Sequence, residues 1–310
     1  MKLIVPSILT GFVLAIGASP AAAVEIQKLT NIETSYPYWS PDGKRIVFQS
    51  NRNNNDSEIY VMDADGGNLQ RLTYTPGYDE TPIWSPDGRH ILFASTRDGN
   101  YEVYLMNADG SDQRNLTNHP AHDGHPNFSP DGRRVIFHSN RVMPADTWGD
   151  NAFTPEVNHE IYEMDLDGGN VTRVTDYPDW DTYPDISPDG SKIAFRRVFP
   201  TDMGSRDRNS EVFVADRDGA NAYNLSRFPE HDGRPAWSPD GSMIAFASER
   251  ERSRQWQIYV INVDGTGLRR LTEFDSQGAE FAKPQWSPDG KRIICTRTKD
   301  GNVEIFVIHL

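Results

Sequence analysis

The chain has 310 residues, a formal net charge of −14 at pH 7 and a single cysteine, Cys295. The acidic balance excludes nucleic acid as an electrostatically favoured partner, because a polyanion would be repelled. Metal cations, cationic protein segments and neutral glycans remain as partners on charge alone. One cysteine excludes an internal disulfide, so a hydrophobic core must stabilise the fold.

Residues 1–23 have the pattern of an export signal. Lys2 precedes an apolar stretch from Leu3 to Ile16, and Ala21-Ala22-Ala23 supplies small residues for cleavage. The stretch is shorter than the ~20 apolar residues of a membrane-spanning helix. We therefore expect cleavage after Ala23, a periplasmic or secreted mature protein, and no membrane span. Loss of Lys2 changes the net charge from −14 to −15.

The tetrapeptide Ser-Pro-Asp-Gly then occurs six times, at intervals of 45, 44, 58, 51 and 49 residues. Its serines are Ser40, Ser85, Ser129, Ser187, Ser238 and Ser287. A repeat with this period indicates a chain built from copies of one structural unit.

Each copy has the pattern of a small antiparallel sheet. In the second copy, strand-like runs at 81–84, 90–95, 102–106 and 113–117 are separated by turns rich in Pro, Asp and Gly. Six such copies predict an all-β protein, a six-bladed β-propeller over residues 24–310 with four-stranded blades. Large apolar residues precede the turns, and we expect them to pack between blades: Trp39, Trp84, Phe128, Ile186, Trp237 and Trp286.

The two ends of the chain complement each other in this scheme. The sixth copy stops after its third strand, at 304–308, and a strand-like segment at 25–30 precedes the first copy. That segment ends in Leu-Thr, as does the fourth strand of the first copy at Leu72-Thr73. We predict that 25–30 completes the last blade and closes the ring, which leaves no open sheet edge.

The repeat has a distinctive sequence. The first copy reads Trp-Ser-Pro-Asp-Gly-Lys-Arg-Ile at 39–46, followed by Ser-Asn-Arg, Glu-Ile-Tyr-Val-Met-Asp and Asp-Gly-Gly-Asn. It resembles the WD40-like (PD40) repeat of the TolB propeller over essentially all of residues 24–310. The resemblance implies an exported six-bladed propeller that binds other proteins of the cell envelope. TolB carries an α/β domain before its propeller, whereas here the propeller begins almost at the predicted cleavage site.

Strand direction assigns the loops to two faces. The Ser-Pro-Asp-Gly turns lie on one, the turn face, and the loops between blades lie on the other, the channel face. Insertions at Val142–His159, Phe199–Ser210 and Glu251–Trp256 all fall on the channel face. Variable loops on a rigid scaffold often carry binding. We therefore expect a partner to contact this face, and Trp148 and Phe153 of the first insertion in particular.

Acids and cations recur on the same face. Acids three or four residues before a proline are Glu33, Asp79, Asp123, Asp181, Asp232 and Glu280. Cations twelve residues after a turn serine are Arg52, Arg97, Arg141, Arg250 and Lys299. In the fourth copy Phe199 takes that place, with Arg196 and Arg197 nearby. Two interpretations stay open: a scaffold of acid–arginine bridges between blades, or a ring of ligand-binding carboxylates at the channel mouth.

Histidines and aromatic residues break the repeat. His122 and His125 flank Asp123, and His231 precedes Asp232. His138 and His159 border the long insertion, and Tyr78 and Trp180 hold the place of His122 and His231 in their copies. Aromatic residues around a mouth suit stacking on sugars or peptide side chains. We expect no cofactor. The alternative is a divalent metal bound by His122, His125 and His231.

No nucleophile-elbow, zinc-protease or P-loop motif is present. The leading hypothesis is a monomeric, non-enzymatic propeller that binds an envelope protein or peptide through the channel face. Related propellers also accompany peptidase domains or form metal-dependent pectate-fragment lyases, so the repeat alone does not determine activity. The alternative is a metal-dependent carbohydrate lyase or hydrolase with a His/acid site at the channel mouth. A propeller subunit of a larger assembly is a third possibility.

Overall fold

The computed structural model describes residues 24–30, 33–52, 56–143, 158–178, 180–199, 209–251, 255–274 and 278–310. The predicted export signal lies outside these residues, as do Trp148 and Phe153. Within the described ranges the secondary structure consists of strands and turns, and no helix there is long and apolar enough to cross a membrane.

Within the described residues, twenty-four strands form six antiparallel sheets of four strands, as predicted. Blade 1 contains β2 (Ser35–Trp39), β3 (Arg45–Ser50), β4 (Glu58–Asp63) and β5 (Gln70–Arg71). Blade 2 contains β6 (Asp79–Trp84), β7 (His90–Ser95), β8 (Glu102–Asn107) and β9 (Arg114–Asn115). Blade 3 contains β10 (Asp123–Phe128), β11 (Arg134–Ser139), β12 (Glu160–Asp165) and β13 (Thr172–Arg173). Blade 4 contains β14 (Asp181–Ile186), β15 (Lys192–Phe199), β16 (Asn209–Asp216) and β17 (Tyr223–Asn224). Blade 5 contains β18 (Asp232–Trp237), β19 (Met243–Ser248), β20 (Gln257–Asn262) and β21 (Arg269–Arg270). Blade 6 contains β22 (Glu280–Trp286), β23 (Arg292–Lys299), β24 (Asn302–His309) and β1 (Glu25–Lys28).

The Ser-Pro-Asp-Gly turns are held by the same hydrogen bonds in every blade. In blade 2 the Ser85 hydroxyl donates to the Asp87 carboxylate at 2.6 Å and accepts from the His90 amide at 2.9 Å. The Gly88 amide donates to the Ser85 carbonyl at 2.9 Å, and Gly88 has a φ of +70° that favours glycine. The serine hydroxyl lowers the pKa of the turn aspartate, to about 2 at Asp189.

The core lies between and within the blades. The eighth residue after each turn serine is completely buried in the second strand, and these residues are Phe48, Phe93, Phe137, Phe195, Phe246 and Cys295. The large residues before the turns pack between blades as expected. For example, Trp84 and Phe93 of blade 2 cluster with Val47 and Val61 of blade 1. Burial also raises the pKa of the Cys295 thiol, so this cysteine acts as an apolar packing residue.

The N-terminal strand closes the ring, as the sequence predicted. β1 pairs antiparallel with β24, with Ile26 opposite Ile308. The Thr30 hydroxyl accepts a hydrogen bond from the Ile305 amide at 2.9 Å, the bond that Thr73 makes with the Ile59 amide in blade 1. The outer strand of the last blade therefore comes from the start of the described chain.

Candidate functional site

The first strand of each blade lines a central channel, and each contains a bulge where pairing with the second strand shifts register. The residue at each bulge precedes a proline and has a φ between 47° and 57°. We call these six residues the channel ring: Tyr36, Thr81, His125, Tyr183, Arg234 and Lys283. A left-handed backbone is strained for a non-glycine residue and more so before proline. Bulges of this kind redirect side chains, and here they line the channel.

The composition of the channel ring differs from blade to blade although its scaffold repeats. The proline that follows is present in all six blades, whereas the ring residue is tyrosine, threonine, histidine, arginine or lysine. The described residues around it enclose a cavity of about 80 Å³. The ring is therefore an asymmetric part of the channel wall.

Contacts between blades join most of the channel ring into one network. The Lys283 ammonium lies 3.7 Å from the centre of the Tyr36 ring and donates to the Ser35 hydroxyl. The Tyr36 hydroxyl is 3.5 Å from the Tyr183 hydroxyl and 3.3 Å from His125 Nε2. The Tyr183 and His125 rings are 4.1 Å apart. A ligand that displaces one of these side chains would thus disturb its neighbours.

A second layer supports the ring from the second strands. Arg196 lies against Gly233, where a Cβ atom would come within 2.8 Å of Arg196 Cδ. His138 stacks beside His125 at 4.8 Å and contacts the His159 ring at 5.2 Å. A side chain at position 233 would therefore displace Arg196 from its observed position.

Burial and neighbouring cations shift the pKa values of several groups in this part of the channel. Burial, together with the charges of Arg234 and Lys283, lowers the pKa of His125 to about 3. Burial, aided by Arg234, also lowers the pKa of Lys283 well below its usual value. The pKa of Tyr183 is lowered although burial raises it, because Arg234 and Arg196 favour the phenolate. The channel is thus locally cationic in a protein whose net charge is −14.

The aspartates predicted near the channel mouth lie one layer behind the channel wall, bound to an arginine of their own blade. The distance is 2.9 Å for Asp79–Arg97, 2.7 Å for Asp123–Arg141, 2.6 Å for Asp181–Arg197 and 2.8 Å for Asp232–Arg250. The four carboxylates are 0–1% exposed. These bridges join the first and second strands within a blade, whereas the sequence suggested bridges between blades.

Blades 1 and 6 depart from this arrangement. Thr34 and Phe281 occupy the place of the aspartate, because Glu33 and Glu280 lie one residue earlier. Arg52 instead stacks on the Tyr60 ring at 5.5 Å, and Arg297, not Lys299, stacks on Phe281 at 5.9 Å. In blade 4 the bridging residue is Arg197, because β15 continues straight to Phe199 without the turn that places Arg97 in blade 2. A ring of six carboxylates at the mouth is therefore not formed.

The four residues with planar rings before the aspartates make the same backbone hydrogen bond. The carbonyls of Tyr78, His122, Trp180 and His231 each accept a hydrogen bond from the end of the second strand of their blade. Their side chains differ in surroundings. Tyr78 is 46% exposed, His122 packs near Tyr101 at 6.0 Å, and His231 stacks on Trp256 at 6.2 Å. Trp180 contacts His159 at 5.5 Å.

The described residues do not fit a metal. No group of three His, Cys, Asp or Glu side chains within the described ranges has the geometry to bind an ion. His122, His125 and His231, the predicted alternative metal ligands, each contact aromatic residues of their own surroundings. We therefore derive no metal chemistry from this site.

Sequence reasoning included His125 but missed the other five residues of the channel ring. The signal was present: in every copy the same proline follows a residue whose type changes. Strand alternation places neighbouring residues on opposite faces, so it does not predict the bulge that directs this side chain toward the channel.

A closed ring of six four-stranded blades defines the protein as a β-propeller, with an asymmetric set of polar residues on its channel wall. The model of the TolB β-propeller domain (PD40) matches residues 19–112, 75–146 and 201–310, more than half of the chain. The chain belongs to this family.

Individual relatives agree on the fold. A TolB homolog of Chlorobium luteolum is 29% identical over 154 residues, 49% of this chain and 31% of the relative. TolB from Acinetobacter baumannii matches with a TM-score of 0.64 and 27% identity, over 83% of this chain and 57% of that one. An oligogalacturonate lyase in complex with manganese matches with a TM-score of 0.61 over 94% of both chains, but at 16% identity it shows the fold alone. The matched segments span less than a third of the curated relatives.

Proposed function

We propose that this protein is a non-enzymatic propeller of the cell envelope that binds a protein or peptide partner through its channel face. The observation that carries the proposal is the channel ring. All six blades hold the ring residue in the same bulge, yet it is one of five residue types. Such variation on a constant scaffold is typical of a recognition surface and unlike the uniform turn face. Membership of the TolB propeller family supports an envelope partner, and the export-signal pattern at 1–23 supports a periplasmic location.

The surroundings of the ring suit a peptide. Tyr78 is exposed beside a groove between blades 1 and 2 that Glu33, Ser35, Gln49 and Glu80 also line. An exposed tyrosine next to hydrogen-bonding groups is common where proteins bind peptides. The sequence analysis assigns the insertions at 142–158, with Trp148 and Phe153, and at 199–210 to the same face, and most of their residues lie outside the described ranges.

The test is capture of a partner from a periplasmic extract with the full chain. We expect a protein to co-purify and to be lost when residues 142–158 are replaced by a short Gly/Ser linker. The matched control is Lys44→Glu on the turn face, which should leave capture unchanged. Retained capture by the deletion variant, together with loss in Lys44→Glu, would place the site on the turn face and overturn the proposal.

One further measurement distinguishes the proposed binding protein from a metal-dependent carbohydrate enzyme. Protein purified without a histidine tag should contain no stoichiometric Mn, Zn or Fe if the binding proposal is correct. Stoichiometric metal that is lost in His122→Ala and His231→Ala would support the enzyme instead.

A further inference from the structure

Three cationic side chains of blades 4 to 6 lie at or just behind the channel wall, and none forms a salt bridge within the described part of the chain. Arg234 and Lys283 belong to the channel ring, and Arg196 stands behind them against Gly233. The ion pairs found among the described residues involve other arginines and lysines, such as Arg197 with Asp181 in the same blade. Arg196 and Arg197 are adjacent, so an arginine with an ion pair and one without lie side by side in the same strand.

Aromatic rings and hydroxyl groups surround the three cations, and Arg234 is hydrogen-bonded to the Tyr183 side chain. Lys283 contacts the Tyr36 ring and the Ser35 hydroxyl. Arg234 lies 5.7 Å from the centres of both the Tyr183 and Trp256 rings. The Arg196 Nε atom is buried and has no hydrogen-bond partner among the described residues. Aromatic faces attract cations, but they leave most N–H donors of a guanidinium or an ammonium unused.

Acids stand near the cluster without contacting it. Glu80 is bonded to Tyr101 and Gln49, at 3.3 and 3.4 Å, and it acts on Lys283 through electrostatics without forming a salt bridge with it. Glu280 and Glu249 act on the cluster through longer-range electrostatics, and burial raises the pKa of Glu280. Among the described residues, therefore, no carboxylate contacts Arg196, Arg234 or Lys283, and the Arg196 Nε atom lacks an acceptor.

We propose that Arg196, Arg234 and Lys283 form a subsite that binds a carboxylate of the partner, supplied by an acidic side chain or a C-terminus. The inference rests on the proposed function, because it assumes a peptide at the channel face. Desolvated cations without a counter-charge are unfavourable, and a bound carboxylate removes that cost. The planar guanidinium forks match the geometry of a carboxylate, and the Tyr36 hydroxyl is a further donor within the same network.

The experiment titrates the full chain with short peptides by calorimetry at constant ionic strength. The probes are acetyl-Gly-Gly-Glu-Gly-Gly-amide and the same peptide with Gln, and acetyl-Gly-Gly-Gly with a free or an amidated C-terminus. We expect the carboxylate peptides to bind and their amides to bind at least tenfold more weakly. Which carboxylate peptide binds more tightly distinguishes a side chain from a C-terminus as the source.

Variants locate the binding. Lys283→Met and Arg234→Gln should weaken the Glu peptide at least tenfold, whereas Lys44→Met and Arg89→Gln, the same substitutions on the turn face, should not. In the absence of peptide, Lys283→Met should melt at or above the temperature of the parent protein, because an unpaired charge has been removed. A large drop in melting temperature would make Lys283 structural and contradict the subsite.

Other outcomes also overturn the inference. Equal binding of Glu and Gln peptides, no binding of either, or preferential binding of trigalacturonate or inorganic phosphate would each exclude a peptide carboxylate as the ligand. Failure of the subsite proposal can be distinguished from failure of the proposed function. If Lys283→Met captures the envelope partner as well as the parent protein does, the partner binds this face without the subsite.

Discussion

Four aspartates at the heads of first strands are buried, and each is balanced by a single arginine. Asp123 is 0% exposed and its bridge to Arg141 measures 2.7 Å. Burial raises the pKa of Asp123 to about 7 although Arg141 opposes this effect. Breaking such a pair leaves an uncompensated buried charge, which typically costs more than the intact pair contributes. These residues are therefore sensitive positions for stability, whatever the channel binds.

Arg141→Met should lower the free energy of unfolding by about 3–5 kcal/mol at pH 8. The folded-state pKa of Asp123 lies above its ordinary value of 3.8, so ionisation of this group costs stability as the pH rises through that range. Loss of Arg141 raises the folded pKa further. The deficit should thus be largest at pH 8 and smaller at pH 5, as measured by urea unfolding.

The matched control is Arg52→Met in blade 1, where Thr34 replaces the aspartate and Arg52 stacks on Tyr60. It should cost less than about 1 kcal/mol, as for surface substitutions away from buried partners, and show no comparable pH dependence. Equal losses for both variants would mean that stacking, and not the buried carboxylate, determines the cost.

At the scale of the elements, blades are joined by close backbone contacts as well as by apolar packing. The hairpin between the third and fourth strands of one blade touches the end of the fourth strand of the preceding blade. A Cβ atom on Gly168 would lie 2.3 Å from the Leu116 carbonyl oxygen, and one on Gly66 would lie 3.0 Å from the Leu29 carbonyl oxygen. Leu29 follows β1, so the closing strand makes the same contact as the other fourth strands.

Gly168→Ala should destabilise the protein more than Gly265→Ala. Both glycines have a similar positive φ, +89° and +85°, but no atom lies within 4 Å of a Cβ at Gly265. Backbone strain, about 1–2 kcal/mol, is common to both variants, and the collision with Leu116 should add roughly 1–3 kcal/mol in Gly168→Ala. Thermal melting of the pair isolates the contact between blades, and equal melting temperatures would argue against it.

Removal of residues 24–30 should lower the melting temperature sharply, because β24 would become an exposed edge and the Ile305 amide would lose Thr30. The control is a chain that starts at residue 24 and keeps β1. An unchanged melting curve for the shorter chain would contradict closure by this strand.

At the scale of the whole molecule, the sequence predicted the architecture well and the site only in part. Six copies of one turn, together with the Leu-Thr of the N-terminal segment, were sufficient for the blade number and for ring closure, because both depend on local patterns that repeat. All six acids were placed at the channel mouth, whereas the four aspartates lie behind it in bridges to arginines. Whether a carboxylate such as that of Asp181 faces the channel or Arg197 depends on strand pairing, which spacing along the chain does not reveal.

The channel ring was harder to predict for a related reason. Arg234 and Lys283 reach the channel through a bulge with positive φ. A residue before a proline is normally extended, so the sequence does not predict that conformation. The turn face and the channel face of the molecule differ. One face is a repeated set of turns, and the other surrounds an asymmetric, cationic channel with loops of unequal length.

The most direct test of this account is photo-crosslinking from each face in turn. A photo-reactive amino acid is placed at Tyr78, which is exposed on the channel face, or at Arg89, which is exposed on the turn face. The account predicts that the captured envelope partner is crosslinked from position 78 and not from position 89. Crosslinking from position 89 with none from position 78 would contradict it.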